Sequence, residues 1–432
     1  MTARRTAEMT PDTPRSWRGL AGVLVAQGLA WTGTRLSAIA LPWFVLTSTG
    51  SAAQTGIVVF VEMTPYVIVQ LLSGPIIDRV GPRRISIAGD LVSTGAVAMV
   101  PLLYAAGALE MWSLLPLVAI VGAARGPSDA AKGVFIPAMT EAAGVPLERG
   151  TGLAGTIERL SSTVGPGVAG ILVASIGGAY ALTVTAVVFG LGALVIAWAT
   201  PRHEPVPDHD SAAGYLARLR GGAEFVRSER LLRSIVGMVA VTNLLDAAWI
   251  SVLLPVWARE SGHGPAAIGL IVAAMSAASI VTSGLAAAFA HRMPRRPTYL
   301  VGFLLGAPRF VVLALGAPIW LVVAVYVVSG FAIGFINPII GAIQFERAPR
   351  EMYGRVRTVV VAMAWSGIPF GGLVGGGLVA LLGLSPALLA VGAAYLVTTT
   401  LPAFQKEWGE MDRERRIGRA RHEEDKGTSG MS

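Results

Sequence analysis

The stretch GPIIDRVGPRR, Gly74 to Arg84, stands between two long apolar runs and packs two glycines, an acid and several arginines into a few residues. A connection that short between membrane-length runs leaves and re-enters a bilayer on the same side. Its charges therefore sit where two helices emerge. Glycine, at Gly74 and Gly81, lets a neighbouring helix come close. Asp78 can face the positive N-terminal end of another helix. Arg79, Arg83 and Arg84 mark the cytoplasmic side, where basic residues accumulate.

Composition agrees with a membrane protein. The 432 residues are 53% hydrophobic and only 14% charged, with a mean hydropathy of +0.64, whereas soluble domains carry about 25% charged residues. The net charge of +8 does not point to nucleic acid, because the basic residues are interleaved with apolar runs instead of gathering on one soluble face. Cysteine is absent, which excludes disulfides and thiol chemistry. The opening MTARRTAEMTPDTPRSWRG is polar and basic and lacks a small-residue cleavage site after its first apolar run, so no cleaved signal peptide is expected. No cofactor is expected.

A helix needs roughly 20 mostly apolar residues to cross the hydrocarbon core. On that measure the sequence predicts an all-α integral membrane protein of about twelve transmembrane helices in two pseudo-symmetric six-helix bundles. The first six run near 20–46, 53–77, 85–106, 111–131, 153–176 and 179–199, and the second six near 231–258, 266–290, 299–315, 319–340, 356–382 and 386–403. The domain division that follows is an N-terminal segment 1–19, a first bundle 20–200, a linker 201–230, a second bundle 231–404 and a tail 405–432. The linker contains a basic stretch with Leu216, Leu219, Phe225 and Val226 at near-helical spacing, read as an amphipathic helix at the inner membrane surface. Arg4, Arg5, Arg15, Arg18, the arginines of the opening motif, those at 218–230 and 292–296, Arg350, Arg355 and the tail all fall on one side. The opposite short loops lack Lys and Arg, Arg259 being the exception, so both termini are expected in the cytoplasm and the chain in the inner membrane.

The halves echo one another. Leu41-Pro42 and Leu254-Pro255 are 255 − 42 = 213 apart, as are Gly56 and Gly269, and Arg83-Arg84 precedes Arg295-Arg296 by 212. GPGVAG at Gly165–Gly170, containing Pro166, meets IPFGGLVGG at Ile368–Gly376. Duplicated six-helix halves are a known transporter design.

The opening motif resembles the loop between helices 2 and 3 of the major facilitator superfamily, with Pro82 as its clear departure. TVGPGVAG, with Gly165, Pro166 and Gly170, resembles the fifth-helix motif of antiporters in that superfamily, and Arg125-Gly126 its arginine-bearing fourth-helix motif. TRLSAIALPWFVL, LRGGAEFVRSERLLRS and QFERAPREMYGRVRT are similar to the bacterial efflux subgroup that includes macrolide and enterobactin exporters. The resemblance implies the major facilitator fold and outward movement of an amphiphilic small molecule in exchange for protons. A monomer in the lipid bilayer is expected, with no nucleic-acid partner.

Ionisable groups at bilayer depth are costly and point to function. Four are candidates for proton coupling or central charge: Glu62, Asp246, Arg35 and Arg125. Arg35 in helix 1 and Asp246 in helix 7 lie at similar depth on what the resemblance makes opposite cavity walls, so they can meet, compete for substrate, or form a structural pair. Glu62 in low dielectric favours its neutral form, with Arg125 as a partner able to displace its proton. The alternative is an acid that locks helix 2 to a neighbour. Glu158 and Arg159 lie nearer the cytoplasmic mouth, and Arg309 is read as structural. Asp90 is expected to pair with arginines of the opening motif. Trp31, Asn243, Trp249, Asn337, Gln344 and Trp365 are candidates for the substrate cavity. Trp43, Trp112 and Trp257 are read as an outer interfacial belt.

Export is the leading reading. Uptake or facilitated diffusion on the same fold is the alternative, and a receptor or scaffold that lost transport is a further one, disfavoured by the membrane-depth charges. No Walker-type loop, HExxH or GxSxG string occurs, which argues against ATP-driven transport and against an intramembrane enzyme. The topology makes a direct prediction on this cysteine-free background. Cysteines at Ser48 and Gly177 react with an impermeant thiol reagent from outside, whereas those at Ser211 and Ser429 react only after permeabilisation. Reversed labelling would overturn the orientation.

Overall fold

A computed structural model describes residues 17–201, 212–289, 293–349, 352–405 and 407–409, all helix and short turn. The N-terminal segment to residue 16, the linker 202–211, Arg292, Arg350 and the tail beyond 409 lie outside the described residues. The helices are α1 (Trp17–Thr49), α2 (Ala52–Leu72), α3 (Gly74–Val80), α4 (Pro82–Ala105), α5 (Met111–Ala142), α6 (Leu147–Ile176), α7 (Gly178–Ala199), α8 (Ala212–Ser228), α9 (Arg230–Ala248), α10 (Leu254–Glu260), α11 (Gly264–Phe289), α12 (Arg295–Leu304), α13 (Pro308–Ala314), α14 (Ile319–Ile333), α15 (Ile336–Arg347), α16 (Tyr353–Trp365), α17 (Ile368–Leu382) and α18 (Leu384–Thr400). Among the described residues, ten stretches are long and apolar enough to cross a membrane. The 32-residue α5 is long enough but carries several charges, and α18 is a shorter apolar helix.

The expected spans 53–77, 231–258, 299–315, 319–340 and 356–382 are not continuous α-helix, and a proline lies beside each irregularity. Pro75, Pro255, Pro308, Pro338 and Pro369 have no N–H to give the carbonyl four residues earlier. At Pro255 the helix passes through a π turn, Trp249–Leu253, between α9 and α10. Freed ends receive side-chain donors instead, as at Gly334 O, which Pro338 leaves open and which accepts from Ser283 Oγ at 3.3 Å. The Tyr215 hydroxyl donates to Leu71 O at 2.7 Å, the carbonyl that Pro75 leaves open. Asn243 donates to Ala364 O at 2.8 Å, beside the break between α16 and α17.

The amphipathic α8 forms over the expected stretch, and part of its apolar face packs on protein. Val226 is fully buried in a cluster with Leu232, Val236, Val356, Val359 and Val360, and Gly222 sits against the Arg355 backbone.

Two close helix crossings join the N-terminal helices α1–α7 to the later ones. At the first, a Cβ on Gly56 of α2 would overlap the Gly372 carbonyl oxygen of α17. At the second, a Cβ on Gly269 of α11 would stand 2.5 Å from Pro166 O, and one on Gly170 of α6 would stand 2.9 Å from Gly269 Cα. Gly56 and Gly269 are the matched residues 213 apart in sequence. Both crossings lie toward the end that carries the glycine turns at Gly50, Gly177, Gly262 and Gly383, each with positive φ. Arg259 also spans this end, donating to Leu46 O at 3.0 Å and so capping the last turn of α1.

Gly56→Val drives α2 away from α17. Overpacking of this kind costs about 1–3 kcal/mol, so a cysteine at the fully buried Thr55 should label about tenfold faster than in the Gly56 background. An unchanged rate would show that the contact between Gly56 and Gly372 does not hold α2 against α17.

Candidate functional site

A cavity of about 450 Å³ lies among α1, α2, α5, α6 and the α16–α17 break. It is lined by Trp31, Arg35, Glu62, Tyr66, Arg125, Asp129, Glu158 and Trp365, among others. Small residues create the geometry. A Cβ on Gly122 would overlap the Glu62 carbonyl oxygen, and one on Gly126 would stand 2.6 Å from Tyr66 O. Because α5 has only hydrogens there, α2 packs directly on it and sets Glu62 and Tyr66 beside Arg125 and Asp129.

Arg125 is 4% exposed. Its Nη2 donates to Asp129 Oδ1 and Oδ2 at 2.9 and 2.8 Å, and reaches Ala30 O at 3.4 Å. Its guanidinium carbon lies 4.1 Å from the Phe189 ring centroid, a cation–π contact. Nε and Nη1 are buried and have no hydrogen-bond partner. Tyr66 donates to Asp129 Oδ2 at 3.5 Å and stacks on Trp365 with ring centroids 6.5 Å apart. Arg35 Nη2 donates to Ser162 Oγ at 3.0 Å.

Behind Asp129 the network continues away from the cavity. Lys132 Nζ donates to Asp90 Oδ1 at 2.6 Å and Ser128 Oγ at 2.9 Å, and stands 3.9 Å from Asp129 Oδ1. Lys132 and Asp90 are each 1% exposed. Asp90 therefore pairs with a lysine of α5 and not with arginines of the opening motif. Arg83 of that motif donates instead to Ala197 O at 2.8 Å, in the last turn of α7.

Of the open possibilities for Arg35 and Asp246, direct pairing is not seen: each has another partner. Asp246 accepts a hydrogen bond from Arg309, whose guanidinium is fully enclosed by Trp249, Phe310 and Tyr395. Trp249 is correspondingly buried, stacked on Tyr326 at 5.5 Å, and is a core residue. Trp257 is 3% exposed and stacked on His263, so it does not belong to an interfacial belt; Trp112, 72% exposed, is free to. Asn243 and Gln344 are not among the cavity-lining residues, and the Asn337 side chain lies outside the described residues.

In the opening motif Gly81 has φ +91°, the left-handed region that favours glycine. Gly74 faces the Tyr215 ring, where a Cβ would stand at 3.1 Å. Asp78 in α3 is close enough to act on Tyr215, whose phenol is pushed above its ordinary value first by burial and then by this carboxylate. Arg79 ends α3, and Arg84 is exposed in the first turn of α4. Gly165 packs on Arg35, a Cβ there standing 3.0 Å from Arg35 Cβ, and Pro166 and Gly170 form the crossing with α11.

The sequence from residue 11 to 426 matches the family of transmembrane secretion effectors, a branch of the major facilitator superfamily. The chain belongs to this family. It is a multi-pass membrane transporter of small molecules, not an enzyme. It is 32% identical over 394 residues to the multidrug efflux pump Tap of Mycobacterium tuberculosis (strain ATCC 25618 / H37Rv), covering 89% of this chain and 93% of that one. The Tap pump of Mycolicibacterium fortuitum is 28% identical over 395 residues, covering 90% and 96%. Among solved structures, the nucleoside transporter NupG superposes with a TM-score of 0.73 at 14% identity, over 91% of this chain and 98% of that one. That similarity is one of fold.

Sequence reasoning missed Lys132 because it ended the fourth span at Ala131, whereas α5 continues to Ala142; Asp129, inside that span, was passed over beside Arg125. The signal was present: Arg125, Asp129 and Lys132 are spaced by four and three, which puts them on one helix face. Removing one partner of a buried ion pair costs about 3–5 kcal/mol. Lys132→Gln in this transporter is therefore expected to lower the melting temperature in detergent sharply, and Asp90→Asn added to it to restore most of the loss. Equal stability of wild type and Lys132→Gln would contradict the buried pairing.

Proposed function

We propose that this chain is a proton-coupled exporter of amphiphilic small molecules working by alternating access. In this reading α5 and α18 join the ten apolar stretches to make twelve spans, six on each side of the linker 201–230, in a monomer with both termini in the cytoplasm. The sequence-matched glycines at the two crossings support the pseudo-symmetry.

The observation that carries the proposal is a charged cavity closed toward one end and adjoining further space toward the other. Val67, Gln70 and Trp365 are shared with a cavity of about 440 Å³ between α2, α8 and α16. Glu158 is shared with one of about 340 Å³ between α6, α11 and α14. Both lie on the side of the opening motif, which the arginine distribution assigns to the cytoplasm. This is an inward-facing arrangement, in which substrate enters from the cell or the inner leaflet.

Trp31, Tyr66 and Trp365 offer flat apolar surface, and Glu62, Asp129 and Glu158 offer charge, a combination suited to an amphiphile of the macrolide or siderophore-like kind. Glu62 is the acid assigned to the coupled proton, because it lines the same cavity as Arg125 on the α2 face that packs against α5. The opening motif, with Asp78, serves the inner gate, and the efflux activity in the names of the Tap relatives supports the outward direction.

Glu62→Gln mimics the protonated acid. In inverted vesicles with an imposed pH gradient it is expected to abolish uphill accumulation, a loss of about tenfold or more, while exchange of labelled for unlabelled substrate continues. General acid–base groups contribute on that scale or above. Gradient-driven accumulation by Glu62→Gln would remove Glu62 from the coupling role.

A further inference from the structure

Resting on the reading of Glu62 as the coupling acid, we propose that Asp129 is a positioning residue that exchanges Arg125 for Lys132 when Glu62 ionises, and that Lys132 and Asp90 carry this exchange to the opening motif. The geometry is already poised for it. Asp129 Oδ1 is 2.9 Å from Arg125 Nη2 and 3.9 Å from Lys132 Nζ, a difference of 1.0 Å. Both cations are on the same helix as Asp129, four residues before it and three after, so rotation of the Asp129 side chain alone changes partner.

Arg125 spends only Nη2 on Asp129, and its Nε and Nη1 are buried without partners. Unmade hydrogen bonds from a buried guanidinium are costly, and an ionised Glu62 on the adjoining face of α2 is the acceptor that satisfies them. Arg125 drawn toward Glu62 leaves Asp129 to Lys132. Lys132 then divides its charge between Asp129 and Asp90, and Asp90 Oδ2 already lacks a partner. The pull ends in α4, where Ser128 contacts both Asp90 Oδ1 at 2.8 Å and Ser86 O at 3.1 Å. Ser86 lies in the second turn of the helix that starts at Pro82, inside the motif.

The charged groups around Glu62 fit such an exchange. α1 brings Arg35, α2 brings Tyr66, α4 brings Asp90, α5 brings Arg125, Asp129 and Lys132, and α6 brings Glu158, while α7 brings the Phe189 ring and no charge. With Arg35 and Glu158, both exposed at the cavity edge, set aside, two cations face two acids when Glu62 is protonated, and one acid is in excess when it ionises. The redistribution of Arg125 and Lys132 is the response to that excess.

The test reads the inner mouth from a cysteine at Thr358, an exposed residue lining the cavity between α2, α8 and α16, in full-length protein in liposomes. Glu62→Gln should change its labelling rate by a polar thiol reagent about threefold or more. In the Asp90→Asn/Lys132→Gln background, which keeps neutral partners in place, Glu62→Gln should leave the rate unchanged. Should that double variant fail to give a monodisperse protein, Asp129→Asn tests the same step, because it cannot carry the charge, and it should erase the Glu62→Gln effect equally. Persistence of the effect in either background overturns the relay and leaves the coupling role of Glu62 intact. If Glu62→Gln changes neither labelling nor uphill transport in the parent, the coupling role fails and the relay fails with it.

Discussion

The guanidinium of Arg125 is a full charge almost entirely withdrawn from solvent, and the first half of the molecule is arranged around satisfying it. Phe189 covers one face, Ala30 O and Asp129 take one nitrogen, and two more donors remain unanswered. A buried cation in that condition cannot be neutral to its surroundings, since each unmade hydrogen bond in low dielectric raises the energy of the state that leaves it unmade. It therefore responds to any nearby acid that gains or loses a proton. In the proposed reading Glu62 is that acid, held near Arg125 by Gly122 and Gly126, which let the α2 backbone lie directly on α5. A side chain at either glycine would widen the spacing on which the interaction depends.

The second half solves a similar problem differently. Arg309 is also buried, but three aromatic rings enclose it and Asp246 answers it directly. Cation–π contact and the carboxylate together account for a charge that has no opening to the described cavity. The first half thus holds a buried cation with two unpartnered nitrogens at a cavity wall, and the second holds one ringed by aromatics, with only Nε unpartnered and the side chain of its partner Asp246 40% exposed. Between them, the helix crossings at Gly56/Gly372 and Gly170/Gly269 let backbones touch where a transporter has to part and close again. Such contacts have no long side chains to disentangle, which suits a seam that must re-form repeatedly.

Much of this was legible in the chain. Apolar runs of membrane length locate the helices, and an ionisable residue inside such a run identifies itself, as Glu62, Arg35 and Arg125 do. Hydropathy gives depth but not azimuth, however. Arg35 and Asp246 share a depth and yet face different neighbours, because the direction of a side chain around its helix is set by packing with residues far away in sequence. The same limit misplaced Trp249 and Trp257, whose depth is compatible with a cavity or an interface but whose rings are buried. Lys132 was lost for another reason: charge at the end of the run lowered the local hydropathy and cut the span short at Ala131, although pairing is what allows Lys132 to be inside; Asp129 lay within the span and was passed over. The helix breaks were readable in principle from Pro75, Pro308, Pro338 and Pro369, each of which leaves a carbonyl open that some other group or water must fill.

Proton release on substrate binding tests the central claim most directly. Purified transporter in weakly buffered solution is mixed with a compound that wild-type vesicles export, and the pH is followed with an indicator dye. If the proton on Glu62 is exchanged for substrate through Arg125, wild-type protein releases protons in proportion to the sites filled, and Glu62→Gln binds the compound while releasing none. Equal proton release from wild type and Glu62→Gln would contradict the account.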